Sequence, residues 1–151
     1  MAREDLADAL ADALAGIQRL IRRRVRSTMA EPRLRGAQVE LLRLVVARPG
    51  IRVSAAAKEL YLAGNSVSTL VNQLGKAGYL IRETDPEDRR SALLRPTPAA
   101  ESRLRDWQAR RSALVRGQVA RLSEADRAAL AAAVPALRRL AQNLHEEVEG
   151  P

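Results

Sequence analysis

The sequence predicts a mainly α-helical fold with one small β wing: a helix-turn-helix lobe bracketed by longer helices at both ends. Three observations carry this prediction. Two short runs of helical periodicity, from Ser54 through Leu60 and from about Asn65 to Ala77, are joined at Ala63-Gly64-Asn65, a Gly-containing turn. Directly after them, the strand-like runs Tyr79–Thr84 and Ser91–Arg95 flank Asp85-Pro86-Glu87-Asp88-Arg89-Arg90, a polar loop rich in turn formers, so a β-hairpin is expected. On either side of this lobe, apolar residues recur at spacings of three and four over stretches too long for so small a lobe to cover.

Taken in order, Leu6, Leu10, Leu14, Ile17, Ile21 and Val25 place one apolar stripe on a long first helix, with Pro32 beyond its end. A second helix, from about Ala37 to Ala47, is apolar on most sides through Val39, Leu42, Leu44, Val45 and Val46, as a central element should be, and Pro49-Gly50 stops it. Ile51-Arg52-Val53 is long enough for a minimal strand. Ser54 is the expected N-cap of the next helix, whose Ala55, Ala56 and Ala57 allow close packing. In the following helix Val67, Leu70, Val71 and Leu74 define the buried face, and Gly78 takes the position of a left-handed C-terminal cap. After the hairpin, Pro98 suits a first helical turn, and Leu104, Trp107, Leu114, Val115 and Val119 form the apolar face of a long helix. Ser123-Glu124-Ala125-Asp126 resembles a capping box with Asp in place of Glu or Gln. It opens a last helix carrying Leu130, Val134, Leu137, Leu140, Leu144 and Val148, which Pro135 is expected to kink.

Composition narrows the function classes. A chain of 151 residues fits one compact domain, or a small lobe with helices that find cover only against a second copy. The net charge of +8 selects polyanions as partners, whether DNA, RNA or an anionic membrane. The basic side is nearly all arginine, Lys58 and Lys76 being the only lysines, so base composition of the genome is a competing origin for the bias. With no cysteine, thiolate metal sites, cysteine nucleophiles and disulfides are excluded. His145 is the only histidine and lies near the C-terminal end, beside the charge run Glu146, Glu147 and Glu149, most simply a solvated tail. A His-based triad has no arrangement, a metal site almost no ligands, and no Gly-rich phosphate loop is present. The chain therefore reads as a non-enzyme without cofactor or metal. No stretch approaches the ~18 uncharged apolar residues of a membrane span, and it reads as cytoplasmic.

From Gln38 to Thr97 the sequence resembles the MarR family, the regulators named for multiple antibiotic resistance. The resemblance rests on the Pro49-Gly50 break, the Ser66-Val67-Ser68 opening of the second motif helix, Lys76-Ala77-Gly78-Tyr79-Leu80 before the wing, and the wing itself. There the family's pattern is matched at Asp88, Arg90, Leu94 and Thr97 and departed from at Pro96. The helix order agrees over essentially the whole chain. It implies a single domain, 1–151, with a winged helix-turn-helix DNA-binding lobe at 35–97 and dimerisation helices at 1–30 and 98–151. It also implies release from DNA when a small phenolic or lipophilic effector binds between the dimer helices and the lobe.

The residues support the same reading independently. A helix with Val67, Leu70, Val71 and Leu74 inside points Ser66, Ser68, Thr69, Asn72, Gln73 and Lys76 elsewhere, and these can reach base edges or phosphates in a major groove. Asn72 and Gln73 carry amides that fit adenine's donor and acceptor, while Ser66, Ser68 and Thr69 suit phosphate. The bland alternative is that any exposed helix carries polar residues. Arg89 and Arg90, at the hairpin tip, suit a narrow minor groove, unless one merely pairs with Asp88. The resemblance implies that the Asp and Arg of this motif stabilise the wing, so Arg90 is expected to be partly structural and Arg89 the freer contact. Family members often carry arginines along this helix, where this chain has Thr69 and Gln73, and an acidic residue where it has Gly75. Phosphate attraction then falls to Arg52, Lys58, Arg82, Arg89, Arg90 and Arg95. Leu6, Leu10, Leu137, Leu140 and Leu144 are the expected homodimer contacts, and a two-fold axis implies an inverted-repeat site with half-sites roughly 10 base pairs apart. Trp107, Tyr61 and Tyr79 are the only aromatics, which disfavours a large aromatic ligand site but not an aliphatic one. A different class remains open: a winged-helix dimer acting as a protein-interaction or low-specificity architectural module.

Overall fold

The computed structural model describes residues 3–30 and 33–148, so Pro32 and Glu149 lie outside the described residues, as do the side chains of Glu147 and Val148. In chain order the elements are α1 (Arg3–Arg26), α2 (Gly36–Ala47), β1 (Ile51–Arg52), α3 (Val53–Glu59), α4 (Gly64–Lys76), β2 (Leu80–Thr84), β3 (Ala92–Pro96), α5 (Pro98–Ala120) and α6 (Glu124–Val148). The strands form one antiparallel sheet in the order β1-β3-β2. Ile51 stands opposite Leu94 on one side of the central strand, and Leu80 opposite Pro96 through Thr84 opposite Ala92 on the other. This is the mainly α fold with a small β wing that the sequence predicts.

The core of the lobe gathers around α2. Leu41, Leu42 and Val45 are fully buried, and Val67, Val71 and Leu74 of α4, Ala56 and Ala57 of α3, and Leu94 of β3 complete the cluster with Ile51, Tyr79 and Leu80. Leu41 joins the apolar positions expected of α2, whereas Val39, Leu44 and Val46 are only half-buried. Each fully buried Val or Leu side chain stabilises the fold by about 1.5–3 kcal/mol. The two alanines of α3 remove the bulk that would hold α3 and α4 apart.

Helix ends explain the turns. At the end of α4 the left-handed Gly78 (φ 81°) lets the Tyr79 N–H reach the Leu74 carbonyl at 2.9 Å and its own N–H reach Gly75 at 3.1 Å, as expected for a glycine cap. The end of α3 uses the same device with a different residue. Tyr61 adopts φ 53°, its N–H bonds the Lys58 carbonyl (3.3 Å) and the Leu62 N–H bonds Ala57 (3.0 Å). The turn of the motif is thus centred on Tyr61 rather than on Ala63-Gly64-Asn65, and Gly64 is already the first residue of α4. Ser54 is likewise not a cap. The N-cap lies two residues earlier, at Arg52, because β1 runs straight into α3.

Helix α1 is graded along its length. Val25 is buried, Ile21 and Leu10 are half-buried, and Leu6, Leu14, Ile17 and Leu20 are exposed. Residues from Ser112 onward form a second compact unit. Within it, the Ser123 hydroxyl accepts the Asp126 N–H (3.1 Å) and donates to the Asp126 carboxylate (2.7 Å), so Ser123 caps α6 while the shorter Asp126 side chain meets the hydroxyl rather than the backbone N–H that a capping box requires. Helix α6 is continuous through Pro135, with Leu137 and Leu140 half-buried and Leu130, Val134 and Leu144 exposed.

Because Leu74 is fully buried between α4 and the core, Leu74→Ala should destabilise the chain by about 2–5 kcal/mol, measured by urea denaturation. Shortening the exposed Leu20 in the same way should cost under ~1 kcal/mol in the isolated protomer.

Candidate nucleic-acid interface

With Val67, Val71 and Leu74 turned inward, α4 presents Ser66, Thr69, Asn72, Gln73 and Lys76 as exposed residues and Ser68 as half-buried. These six side chains lie on one helix of thirteen residues, Gly64–Lys76. They do not stand in equivalent states. The Thr69 hydroxyl donates back to the Asn65 carbonyl at 3.0 Å, which leaves only its lone pairs to an outside partner. Gln73 is engaged across the fold: its Oε1 accepts from Gln38 Nε2 at 3.0 Å, and Gln38 Oε1 accepts the Arg35 N–H at 2.7 Å. That bond fixes the Gln73 amide and leaves its two N–H donors outward. Among the described residues, no hydrogen bond or ion pair holds the side chains of Asn72 or Lys76.

The wing stands on two ion pairs. Asp85, only 4% exposed, receives the Arg52 guanidinium on Oδ2 at 2.7 Å and the Glu87 N–H on Oδ1 at 2.9 Å. Its pKa lies below the ordinary 3.8, first because of the Glu87 N–H and then because of the Arg52 charge, which together outweigh the opposing effect of burial. On the other strand pair, Arg95 Nε meets Glu83 Oε2 at 2.7 Å, with its guanidinium against Gly50. Arg52 and Arg95 are therefore tied down within the protomer, whereas Lys58, Arg82, Arg89 and Arg90 have no ion pair among the described residues.

At the tip, Asp88 Oδ1 accepts the backbone N–H of Arg90 (3.0 Å) and Oδ2 accepts the Ser91 hydroxyl (3.0 Å). The Asp of the wing motif thus braces the loop as the resemblance implies, but through the main chain of Arg90. Both guanidiniums, of Arg89 and of Arg90, are left exposed. Arg82 projects from β2 beside α4, where it lines a crevice of about 260 Å³ with Asn72, Lys76 and Leu80. The last residue of the motif, Thr97, closes the base: its hydroxyl donates to the Gly78 carbonyl (2.7 Å) and its N–H to the Tyr79 carbonyl (3.1 Å).

Two residues that hold this surface are not singled out by sequence reasoning. Asp85 reads as one more turn former, although Asp followed two residues later by a free N–H is a recognisable Asx signature. Gln38 gives no signal, since its partner is 35 residues away.

A second feature lies where α1, α2 and α5 meet. Trp107 lines three adjoining cavities of about 20, 130 and 460 Å³. Their walls combine Leu34, Val39 and Leu104 with Arg26, Arg43 and Arg103. The Trp107 indole N–H is buried and has no acceptor among the described residues. Arg103 donates to the Ala30 carbonyl (3.1 Å) and the Tyr79 hydroxyl (3.0 Å), with its charge over the Tyr79 ring at 5.5 Å. No group of three His, Asp or Glu residues among the described ones is placed to hold a metal, and no described helix is long and apolar enough to cross a membrane.

A helix anchored by one face beside a hairpin whose tip carries unpaired arginines defines a winged helix-turn-helix protein. Residues 34–91 match the model of the MarR family. A protein of Thauera aromatica named for transcriptional regulation of the hcr operon is 32% identical over 90 residues, 60% of this chain and 54% of that one. The chain spans about half or less of the curated relatives it matches. A structure from Pseudomonas aeruginosa named as a transcriptional regulator is 29% identical with a TM-score of 0.72, covering 94% of this chain and 99% of that one. The PcaV transcriptional regulator from Streptomyces coelicolor, in complex with its natural ligand, is 27% identical with a TM-score of 0.59 over 94% and 98% of the two chains. All three are named as transcriptional regulators.

The Asp85 site gives a pH prediction. A carboxylate whose folded pKa is depressed contributes stability that is complete above its unfolded value and is lost as pH falls through the folded one. Asp85→Asn should therefore flatten the fall of the urea midpoint between about pH 5 and pH 2 relative to the unmodified chain.

Proposed function

We propose that the chain is a sequence-specific, double-stranded-DNA-binding transcription regulator of the cytoplasm, a repressor acting as a homodimer on an inverted-repeat operator. The observation that carries this reading is the exposed hydrophilic face of α4 beside the unpaired arginines of the wing. Asn72 has both halves of its amide available and is the stronger adenine contact. Gln73, held by Gln38, offers N–H donors to a base edge or a phosphate. Ser66, Ser68 and Lys76 anchor phosphates, Arg82 extends that line along β2, and Arg89 and Arg90 enter the flanking minor groove.

The exposed leucines support the dimer. Leu6 is 53% and Leu144 58% exposed, and the same two helices also expose Leu14, Ile17, Leu20, Leu130 and Val134, an apolar surface that a second copy would cover. Leu10, Leu137 and Leu140, half-buried within the chain, complete the set of contacts. The dimerisation region is proposed to comprise 1–30 and 98–151, and the DNA-binding lobe 35–97.

The cavities at Trp107 fit a small-molecule effector. Arginine walls and an indole donor without an acceptor suit a carboxylate on an apolar body. Arg103 joins this site to Tyr79, the residue that follows the α4 cap, so a ligand competing for Arg103 biases the placement of α4. PcaV, solved with its natural ligand, is the precedent among similar structures.

One observation favours a second reading, a low-specificity architectural module: α4 carries no arginine, and two of its three amides, Asn65 and Gln73, are engaged within the chain. The discriminating measurement is affinity for the DNA beside its own gene against scrambled DNA at matched salt. A regulator should show a ratio of at least ~1,000, and a ratio near unity would support the module. Arg89→Ala should weaken DNA binding by roughly 1–3 kcal/mol while sedimentation still reports a dimer; unchanged affinity would remove the wing-tip contact. Small aromatic and lipophilic acids should raise the melting temperature of the chain, and Trp107→Phe should abolish the shift for those that bond the indole.

A further inference from the structure

We propose that the C-terminal half of α1 is a second phosphate-binding surface, which seats the DNA backbone beside the segment facing α4. It rests on the DNA-binding reading above and adds to it a contact from outside the helix-turn-helix and wing.

The sequence of α1 is divided by charge. Asp5, Asp8 and Asp12 lie in its first half, and no acidic residue occurs between Asp12 and Glu31. Over that interval stand Arg19, Arg22, Arg23, Arg24 and Arg26. Positions 19, 22, 23 and 26 are spaced i, i+3, i+4 and i+7, so four guanidiniums share one face of the helix. The fold turns this face into a groove. Arg19, Arg22, Arg23 and Arg26 line, with Arg33, an open channel of about 720 Å³. All five arginines are exposed, and the side chains of the four on α1 make no hydrogen bond or ion pair among the described residues.

Like charges at these spacings repel and weaken the helix. The negative end of the helix dipole accounts for basic residues in the last turn, Arg23, Arg24 and Arg26, but its influence fades before Arg19 and Arg22. A solvated face would be interspersed with acidic residues, as elsewhere in this chain at Asp106 and Arg110, 3.0 Å apart. What remains is a row of guanidiniums matched in charge to a polyanion.

Position chooses among polyanions. Arg33 lies two residues before Arg35, whose N–H bonds Gln38, which in turn bonds Gln73 on α4. Arg22 and Arg26 also line a crevice with Gly36, Val39 and Glu40 at the start of α2, the helix whose Gln38 bonds Gln73, so the channel borders the end of α2 that reaches α4. A duplex seated on α4 continues past Gln73 toward it.

The test uses the full-length dimer and two duplexes, the DNA beside its own gene and a scrambled sequence, with affinity measured across a salt series. Replacing Arg19, Arg22, Arg23 and Arg26 together by glutamine, in both copies of the dimer, should make the slope of log affinity against log salt shallower by roughly 4–7 units on both duplexes, at ~0.9 for each phosphate no longer neutralised. The single variant Arg22→Gln, present twice in the dimer, should make it shallower by up to ~1.8, and Arg22→Lys, which keeps the charge, should restore most of that slope. Should the quadruple variant fail to fold or dimerise by circular dichroism and sedimentation, the Arg22 pair decides. Slopes unchanged on both duplexes would overturn the proposal. So would glutamine variants that bind DNA normally but no longer co-sediment with phosphatidylglycerol vesicles, since the row would then serve a membrane. Failure of the unmodified protein to discriminate between the duplexes would instead count against the regulator reading and leave the slopes to decide this one.

Discussion

One-sided anchoring of α4 is the constraint on which everything else depends. Val67, Val71 and Leu74 are held against Leu41, Leu42, Val45 and Leu94, and a helix pinned along one face has no rotational freedom left for the other. Rotating α4 by about 100°, one residue's worth, would exchange buried valines for serines and amides, each costing about 1–3 kcal/mol when left without a partner. The orientation of the hydrophilic face is thus a consequence of hydrophobic packing and needs no dedicated polar scaffold. The Gln38–Gln73 bond refines it at one position.

The wing illustrates the opposite strategy. Its strands are five residues each, and β2 buries only Leu80, so apolar burial cannot hold it. Polar bonds take that role: Asp85 with Arg52, Glu83 with Arg95, and Asp88 with the tip. Acidic residues thereby consume some of the arginines within the hairpin and leave Arg89 and Arg90 unneutralised at its end. Charge separation between the base and the tip of the wing is built by which arginine is paired.

Much of this is legible in the sequence, for a physical reason. Apolar periodicity reveals the helices because burial enforces it, and Gly78 is recognisable as a cap because few residues tolerate its backbone. The turn between α3 and α4 is not legible in the same way. The rule favouring glycine at positive φ points to Gly64, while the chain uses Tyr61, and a local pattern does not reveal that substitution. Ser54 fails as a cap since β1 abuts the helix and leaves no free residue for the task. Every polar residue predicted on α4 is there, but their states differ. Whether Thr69 turns back on Asn65, or Gln73 reaches Gln38, depends on neighbours in three dimensions.

Thr97 carries an implication for motion. One side chain and one amide bind the end of the hairpin to the loop after α4, and the same hydroxyl receives the Ala100 N–H at 3.3 Å at the head of α5. Three elements meet at a joint only a few atoms wide. Loss of that one hydroxyl would consequently loosen the loop after α4 and the head of α5 together.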